Sequence, residues 1–234
     1  MHDHKHVLTL DHLFNKALFK LVLTALLILL GSLAIAQNNE DEIIDVDFEA
    51  NEWNTKGYHL MMDGKYAQAK DLFWKAITKD PEVIYYYENL ANACTDSNDQ
   101  EGLFKCYQAA KKNLPGEPDI FYYSGDALQN AKQYSEAIAD YTQAIALTKN
   151  KPTDLLHLYY FNRGNSWLKL RDYQKAKQDY DQALTLQPYH QASYANRAMA
   201  HYNLKSRNAA CADWQKAYEL GYTTAAQYQK KFCQ

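Results

Sequence analysis

Histidines and cysteines are the residues of this 234-residue sequence whose chemistry could support a metal site, a nucleophile or a disulfide. Four histidines have the close spacing of a metal-binding tract, but they lie in a leader that we expect to be removed: His2, His4, His6 and His12. Three others are far apart: His157, His190 and His201. No serine or cysteine lies in a nucleophile motif, and no glycine-rich phosphate loop follows a strand. We therefore predict no catalytic residue, no metal and no cofactor, and a chain that is not an enzyme.

The composition is that of a folded protein, with 47% hydrophobic and 23% charged residues and a net charge of −3. Basic residues form no cluster larger than the pairs Lys111 with Lys112 and Lys230 with Lys231. Because nucleic-acid binding needs a basic surface, we predict no nucleic-acid partner.

The first 36 residues have the order of a secretory signal peptide. Lys5, Lys16 and Lys20 precede an uncharged run from Leu21 to Leu30, and the small-x-small site Ala34–Ala36 follows. We predict cleavage after Ala36, an acidic linker over 37–49, and a mature chain that does not insert into a membrane. The protein would be exported, periplasmic or secreted. The alternative is an uncleaved inner-membrane anchor, although the 16 residues from Leu21 to Ala36 are fewer than the roughly 20 that a spanning helix needs.

The rest of the chain is organised by a repeat of small and aromatic residues. One column is aromatic in five copies separated by 34, 34, 39 and 34 residues: Trp53, Tyr87, Phe121, Tyr160 and Tyr194. Four residues later a column of small residues follows: Gly57, Ala91, Gly125, Gly164 and Ala198. Farther along, a second aromatic column has a mostly small column on each side: Phe73, Tyr107, Tyr141, Tyr180 and Trp214. Offsets of three and four place these columns on one helical face, where an aromatic ring fills the gap that small residues leave.

This pattern resembles the tetratricopeptide repeat, a 34-residue pair of helices whose second helix is closed by a proline. The resemblance implies an all-α solenoid of five helix-turn-helix repeats over 50–83, 84–117, 118–151, 157–190 and 191–222, with a capping helix over 223–234. We predict that the first helix begins at about Asn51. An insertion around 149–154 carries Pro152 at a predicted helix start, so the first helix of the fourth repeat is predicted to be about one turn longer than the others.

In this family the first helix of each repeat lines the inner groove of the solenoid, and the resemblance transfers that role to twelve residues. The predicted peptide-binding groove consists of Tyr58, Tyr85, Asn89, Asn92, Tyr122, Tyr123, Asp126, Phe161, Asn162, Asn165, Asn196 and Met199. Asparagine amides can pair with an extended peptide backbone, and tyrosine offers a rigid apolar plate with a polar tip. The alternative is that these side chains only solvate the inner wall.

The charges of the groove bear on its ligand. The family's carboxylate clamp is absent, because Asn162 faces Ala192 and Asn196 instead of lysine and arginine. Acidic residues outnumber Lys169, which favours a neutral or basic protein segment as the partner: Glu88, Asp96, Asp119 and Asp126.

Four cysteines in an exported chain allow three disulfide pairings. Cys94 and Cys106 lie at different distances from their turn, beyond bridging range, and we expect them to be reduced core residues. Cys211 and Cys233 are each about eleven residues from the turn at Gly221, so they lie level, and we predict a disulfide between them. Their segment also resembles the C-terminal caps of exported repeat proteins of Bacteroidota-type bacteria. Two free thiols are the alternative.

The sequence thus predicts a scaffold or adaptor that holds a protein or peptide partner in its groove, with the oligomeric state left open. The alternative is an accessory or regulatory subunit of an envelope enzyme complex or secretion machine.

Overall fold

The computed structural model describes residues 47–233, which lie in helices and connecting turns without a strand. The predicted signal peptide and residues 37–46 of the predicted linker lie outside this part of the chain. Eleven helices are described, in the order α1 Phe48–Met62, α2 Tyr66–Lys79, α3 Ile84–Asp96, α4 Gln100–Asn113, α5 Pro118–Asn130, α6 Tyr134–Leu147, α7 Leu156–Lys169, α8 Tyr173–Leu186, α9 Gln191–Asn203, α10 Arg207–Glu219 and α11 Ala225–Phe232. The predicted all-α fold of five helical hairpins and a closing helix is confirmed.

Each hairpin pairs an A helix (α1, α3, α5, α7 or α9) with the B helix that follows it (α2, α4, α6, α8 or α10). The aromatic of the B helix fills the space that the small residue of the A helix leaves. A Cβ atom built on Gly125 would lie 2.7 Å from the ring of Tyr141, and one on Gly164 would lie 2.9 Å from the ring of Tyr180. Both rings are completely buried. The two helices of a hairpin therefore pack as closely as the repeat pattern predicts.

The turn within each hairpin contains one residue in the left-handed region. The φ angle there is 74° at Gly64, as the glycine predicts, and lies between 53° and 65° at its equivalents in the other four hairpins: Asn98, Lys132, Arg171 and Lys205. Lysine and arginine occupy this conformation in three hairpins, so the shared geometry of the turn prevails over the preference of the individual residue.

Helix α1 begins at Phe48, three residues before the predicted start at Asn51. The reason is Asp47, whose Oδ1 accepts the backbone N–H of Ala50 at 3.0 Å and so caps the helix. The backbone N–H of Asp47 also donates to Asp80 Oδ2 at 3.1 Å. The last residues of the predicted acidic linker are therefore part of the first hairpin.

The prediction for the insertion before the fourth repeat was wrong. Helix α7 begins at Leu156, beyond Pro152, and its 14 residues do not exceed the 15 of α1. Thr153 forms a turn instead, because its Oγ1 accepts the N–H of Leu155 at 3.2 Å and its carbonyl accepts the N–H of Leu156. This turn uses the backbone groups that an earlier helix start would need.

Helix α11 covers the apolar end of the last hairpin. The ring of Trp214 stacks on those of Tyr228 and Phe232, with centroid distances of 5.6 Å in both cases. Cys211 and Cys233 are joined by a disulfide that ties the end of α11 to α10. Cys94 and Cys106 are buried free cysteines.

Candidate functional site

The A helices form the inner side of the solenoid. Helix α1 packs on α3, α5 on α7, and α7 on α9, whereas no two B helices of the described chain pack to that extent. The layer of A helices is therefore compressed relative to the layer of B helices, which makes the A side concave. We call the exposed surface of the five A helices the inner wall.

Asparagines of the inner wall hydrogen-bond successive A helices to one another. Asn89 Nδ2 donates to Asn54 Oδ1 at 2.9 Å, which joins α3 to α1. Asn196 Nδ2 donates to Asn165 Oδ1 at 2.8 Å, which joins α9 to α7. We call this series the amide ladder. Four of the predicted groove asparagines thus bond within the protein, since Asn162 also belongs to the ladder.

Asn162 joins α7 to α5. Its Nδ2 donates to Asp126 Oδ1 at 2.9 Å and to Tyr122 Oη at 3.2 Å. Asp126 Oδ1 also accepts the hydroxyl of Tyr141 at 2.5 Å. Burial raises the pKa of Asp126, whereas the hydrogen bonds from Tyr141, Tyr122 and Asn162 oppose that rise.

The prediction that Tyr122 offers a plate to a ligand was wrong. Tyr122 is only 7% exposed, and its ring stacks on that of Tyr159 at a centroid distance of 4.7 Å. Tyr159 lies in the first turn of α7, after the insertion, and the repeat pattern did not predict this contact. Phe161 is half-buried against Tyr180 and His190. Tyr122 thus packs between the third and fourth repeats, and Phe161 packs within the fourth.

Three of the predicted groove residues are exposed on the inner wall. Tyr58 is 45% exposed, Tyr123 is 41% exposed, and Asn92 is exposed as well. None of the three makes a side-chain hydrogen bond to the described residues. Tyr85 is half-buried and its hydroxyl donates to Asn51 Oδ1 at 3.2 Å, while Met199 is half-buried against the last hairpin.

Two pockets open between the second and third hairpins. The first has a volume of about 270 Å³ and lies between α3, α4 and α5. The second has a volume of about 410 Å³ and extends to the turn after α3. Tyr107 and Tyr123 line both, so these two rings separate one pocket from the other. We call the two together the seam pockets.

The seam pockets are acidic. Glu88 and Asp119 line the first and Asp99 and Asp126 line the second, while neither lining contains a lysine or arginine. Desolvation raises the pKa of Glu88, and the nearby negative charge of Asp119 raises it further. Two like charges in one pocket wall favour a cation between them.

Nothing in the described part of the chain is arranged for metal binding or membrane crossing. Residues 47–233 contain no group of three or more His, Cys, Asp or Glu side chains that could hold a metal ion. No helix in that range is long and apolar enough to cross a bilayer. The rings of His157 and His190 lie 5.7 Å apart, and burial lowers the pKa of His190. Nδ1 of His190 lies 2.7 Å from the hydroxyl of Ser193, which is completely buried.

Comparison with known proteins identifies the repeat. Residues 118–151 and 157–190 each match the family model of the tetratricopeptide repeat. The chain is a tetratricopeptide repeat protein. Human "Tetratricopeptide repeat protein 6" is 28% identical over 149 residues, which are 64% of this chain and 28% of that protein. Mouse "DnaJ homolog subfamily C member 7" is 30% identical over 116 residues, 50% of this chain and 22% of that protein. The matched region is thus less than a third of either relative.

Solved structures of tetratricopeptide repeat proteins share the fold. The MamA protein superposes with a TM-score of 0.65 at 17% identity, covering 76% of this chain and 94% of MamA. YrrB, described as a TPR protein with an unusual peptide-binding site, superposes with a TM-score of 0.63 at 18% identity, covering 86% of this chain and 97% of YrrB. Proteins with this fold are generally non-catalytic scaffolds.

Sequence reasoning missed a pair of arginines that join the two helices of a tetratricopeptide repeat. Arg163 donates to both carboxylate oxygens of Asp179, at 2.8 and 2.7 Å. Arg197 binds Asp213 in the same way and also donates to Asp181 at 2.7 Å. Burial raises the pKa of Asp179, whereas Arg163 opposes that rise. The sequence contains a pattern that could have predicted these ion pairs, because arginine and aspartate are 16 residues apart in both.

Proposed function

We propose that this protein is a non-enzymatic scaffold or adaptor that binds a segment of a partner protein on its inner wall. The observation that carries the proposal is the pair of seam pockets, which open beside the exposed Tyr123 on the concave face. Aromatic residues beside a pocket are typical anchors of protein interfaces. The peptide-binding site of the structurally similar YrrB supports the proposal by analogy.

The exposed members of the predicted groove suit a protein segment. Tyr58, Asn92 and Tyr123 present two aromatic plates and a free amide on A helices of the first three repeats. The amide can donate to and accept from a peptide backbone, whereas the rings can cover apolar side chains. The asparagines of the fourth and fifth repeats are committed to the amide ladder, so the binding surface is centred on the amino-terminal half of the inner wall.

The site of action that we propose is outside the cytoplasm. The support is the order of basic flank, apolar run and small-x-small site in residues 1–36. Intact mass of the protein purified from the producing cell should correspond to a chain that begins at Gln37. A mass of the full-length chain, with or without Met1, would contradict cleavage and favour the anchored alternative. The alternative role, as an accessory subunit of an envelope enzyme complex or secretion machine, uses the same inner wall, and co-purification of a whole assembly would favour it.

Binding to the inner wall is tested with the partner that cross-linking and mass spectrometry recover from the producing cell. A Tyr58→Ala, Tyr123→Ala double variant should bind this partner at least about 30-fold more weakly, because a central aromatic anchor contributes about 2 kcal/mol or more. The matched control is a Tyr189→Ala, Tyr218→Ala double variant, which removes two exposed tyrosines that lie on no A helix. Unchanged affinity of the first variant, or an equal loss in both, would refute the proposal.

A further inference from the structure

The amide ladder is interrupted between the second and third repeats. The residue two before the small column is Asn89 in the second repeat, Asn162 in the fourth and Asn196 in the fifth, and each bonds back to the preceding A helix. The third repeat has Tyr123 at this position. Among the described residues, no side-chain hydrogen bond joins α3 to α5. One substitution in the repeat pattern therefore leaves these two A helices unconnected.

The seam pockets lie at this interruption. The first is walled by α3 and α5, and Tyr107 and Ala110 of α4 contribute to its lining. Tyr123 lines both pockets instead of bridging the helices, since its bulk is larger than an amide and its hydroxyl finds no acceptor there. The space thus results from the sequence of the third repeat.

The carboxylates around the first pocket have unused bonding capacity. Glu88 makes no hydrogen bond or ion pair with the described residues. Asp119 accepts the hydroxyl of Tyr159 at Oδ1, which leaves Oδ2 without a described partner. Some other acidic residues of the repeats have a cationic partner, as Asp140 has Lys111 at 2.8 Å and Asp179 has Arg163 at 2.7 Å. The first pocket thus places two carboxylates with free bonding capacity beside aromatic rings, without a lysine or arginine in its lining.

Resting on the proposed function, we infer that the first seam pocket takes the side chain of an arginine or lysine from the partner segment. The aliphatic stem would lie against Ala91 and Ile120, and the charged head would meet Glu88 and Asp119. The face of Tyr123 can add a cation–π contact. A pocket of about 270 Å³ is large enough for such a side chain. The partner is thus a protein segment with a basic residue among apolar neighbours.

The test is an NMR titration of the ¹⁵N-labelled protein with Nα-acetylarginine methylamide. Nα-acetylnorleucine methylamide, which has an uncharged chain, is the control ligand. The arginine probe should shift the amide signals of Ala91, Tyr107 and Tyr123 in a saturable way and bind at least about threefold more tightly than the norleucine probe. Equal binding of the two probes, or no saturable shift at these residues, would overturn the inference.

A pair of matched variants separates the pocket from general electrostatics. Glu88→Gln should weaken the arginine probe at least about threefold, because it removes an unpaired carboxylate from the lining while leaving every described hydrogen bond intact. Asp96→Asn removes the same charge from the same helix but lies outside both linings, and it should change the affinity less than about 1.5-fold. Equal effects of the two variants would contradict a specific site.

The proposed function can survive the failure of this inference. If the arginine probe does not bind but the Tyr58→Ala, Tyr123→Ala variant still loses the partner, the inner wall binds a protein and only the basic character of the segment is wrong. If the probe binds but that double variant keeps full affinity for the partner, the inference also fails, because the pocket then does not serve the partner.

Discussion

Asparagine side chains of the inner wall connect the repeats because an amide can donate and accept at once. Asn165 shows the full use of this capacity: its Oδ1 accepts from Asn196 at 2.8 Å and from the Tyr180 hydroxyl at 2.9 Å, while its Nδ2 donates to Asn162 at 3.3 Å. Asn92 occupies the same repeat position but is exposed and unbonded. The asparagine at this repeat position thus hydrogen-bonds to neighbouring side chains in the fourth repeat, whereas the one in the second repeat remains free.

This difference predicts that replacing asparagine by alanine lowers the free energy of unfolding by different amounts at the two positions. Asn165→Ala leaves the Tyr180 hydroxyl and the Asn196 amide without their acceptor, and we expect it to lower the free energy of unfolding by about 1–3 kcal/mol. Asn92→Ala is the matched control and should change it by less than about 0.5 kcal/mol. Urea unfolding of both variants provides the measurement. Similar values for the two would contradict the role of the amide ladder.

The arginine pairs within repeats give a second prediction at this scale. Asp179 is 4% exposed and binds Arg163 through both oxygens, so Asp179→Ala leaves a partly buried guanidinium without its main partner. We expect a loss of about 3 kcal/mol in urea unfolding. The double variant Arg163→Met, Asp179→Leu should recover most of that loss, because it removes both charges and fills the space. If the double variant were as unstable as the single one, the unpaired charge of Arg163 would not be the cause of the lost stability.

Helix boundaries depend on single capping residues, which explains where sequence and structure differ. The aromatic and small columns fixed the number and pairing of the helices, because only helices place offsets of three and four on one face. They carried no information about helix starts, which Asp47 and Thr153 determine through local hydrogen bonds. The burial of Tyr122 could not be predicted from these columns either, because its partner Tyr159 belongs to the next repeat and follows an insertion.

The cap of α4 makes a prediction about pH. Asp99 Oδ1 accepts the N–H of Gly102 at 2.9 Å, and its Oδ2 accepts from Lys70 at 2.6 Å. The ion pair with Lys70, followed by the Gly102 N–H, lowers the pKa of Asp99 below its ordinary value of 3.8. A lowered carboxyl pKa stabilises the folded state above the unfolded pKa, and this contribution is lost as the pH falls through the folded pKa.

We therefore expect Asp99→Ala to destabilise the protein by about 1 kcal/mol at pH 7. The difference from the parent should shrink as the pH falls below about 4, because the parent then loses the same charge. Urea unfolding at several pH values measures it, and Asp71→Ala, at an exposed carboxylate without a described partner, is the control. A difference that did not change with pH would mean that the charge of Asp99 does not act through this cap.

The closing helix depends on a covalent bond as well as on packing. Cys211 and Cys233 close a loop with a sequence separation of 22, for which the chain-entropy model gives about 3 kcal/mol. Cys233→Ser should therefore speed amide exchange in α11 by about 100-fold while leaving α1 to α4 unchanged, because stacked repeats unfold from their ends. The parent protein is denatured without reduction and its free thiols are labelled with a thiol reagent. Peptide mapping should then find the reagent only at Cys94 and Cys106. Four labelled cysteines, or an unaffected α11 in the variant, would contradict the disulfide.

At the scale of the whole molecule, the solenoid has one discontinuity in an otherwise connected inner wall. Repeats four and five are tied to their neighbours by Asn162 and Asn196, whereas Tyr123 leaves the second and third repeats apart and creates the seam pockets. The sequence predicted that the A helices line a groove, and it predicted an acidic one. It could not predict which asparagines would be consumed by the ladder, because that depends on the spacing of helices in three dimensions.

The central claim is that a partner segment binds along the inner wall near the seam pockets, and site-specific photo-cross-linking tests it most directly. The cross-linking amino acid p-benzoylphenylalanine replaces Asn92, exposed on A helix α3, or Gln143, exposed on B helix α6, in the producing cell. We expect the Asn92 position to yield one protein repeatedly and the Gln143 position not to yield it. Mass spectrometry should place the cross-link in a segment of that protein that contains arginine or lysine. Equal recovery from both positions, or recovery from Gln143 alone, would contradict the account.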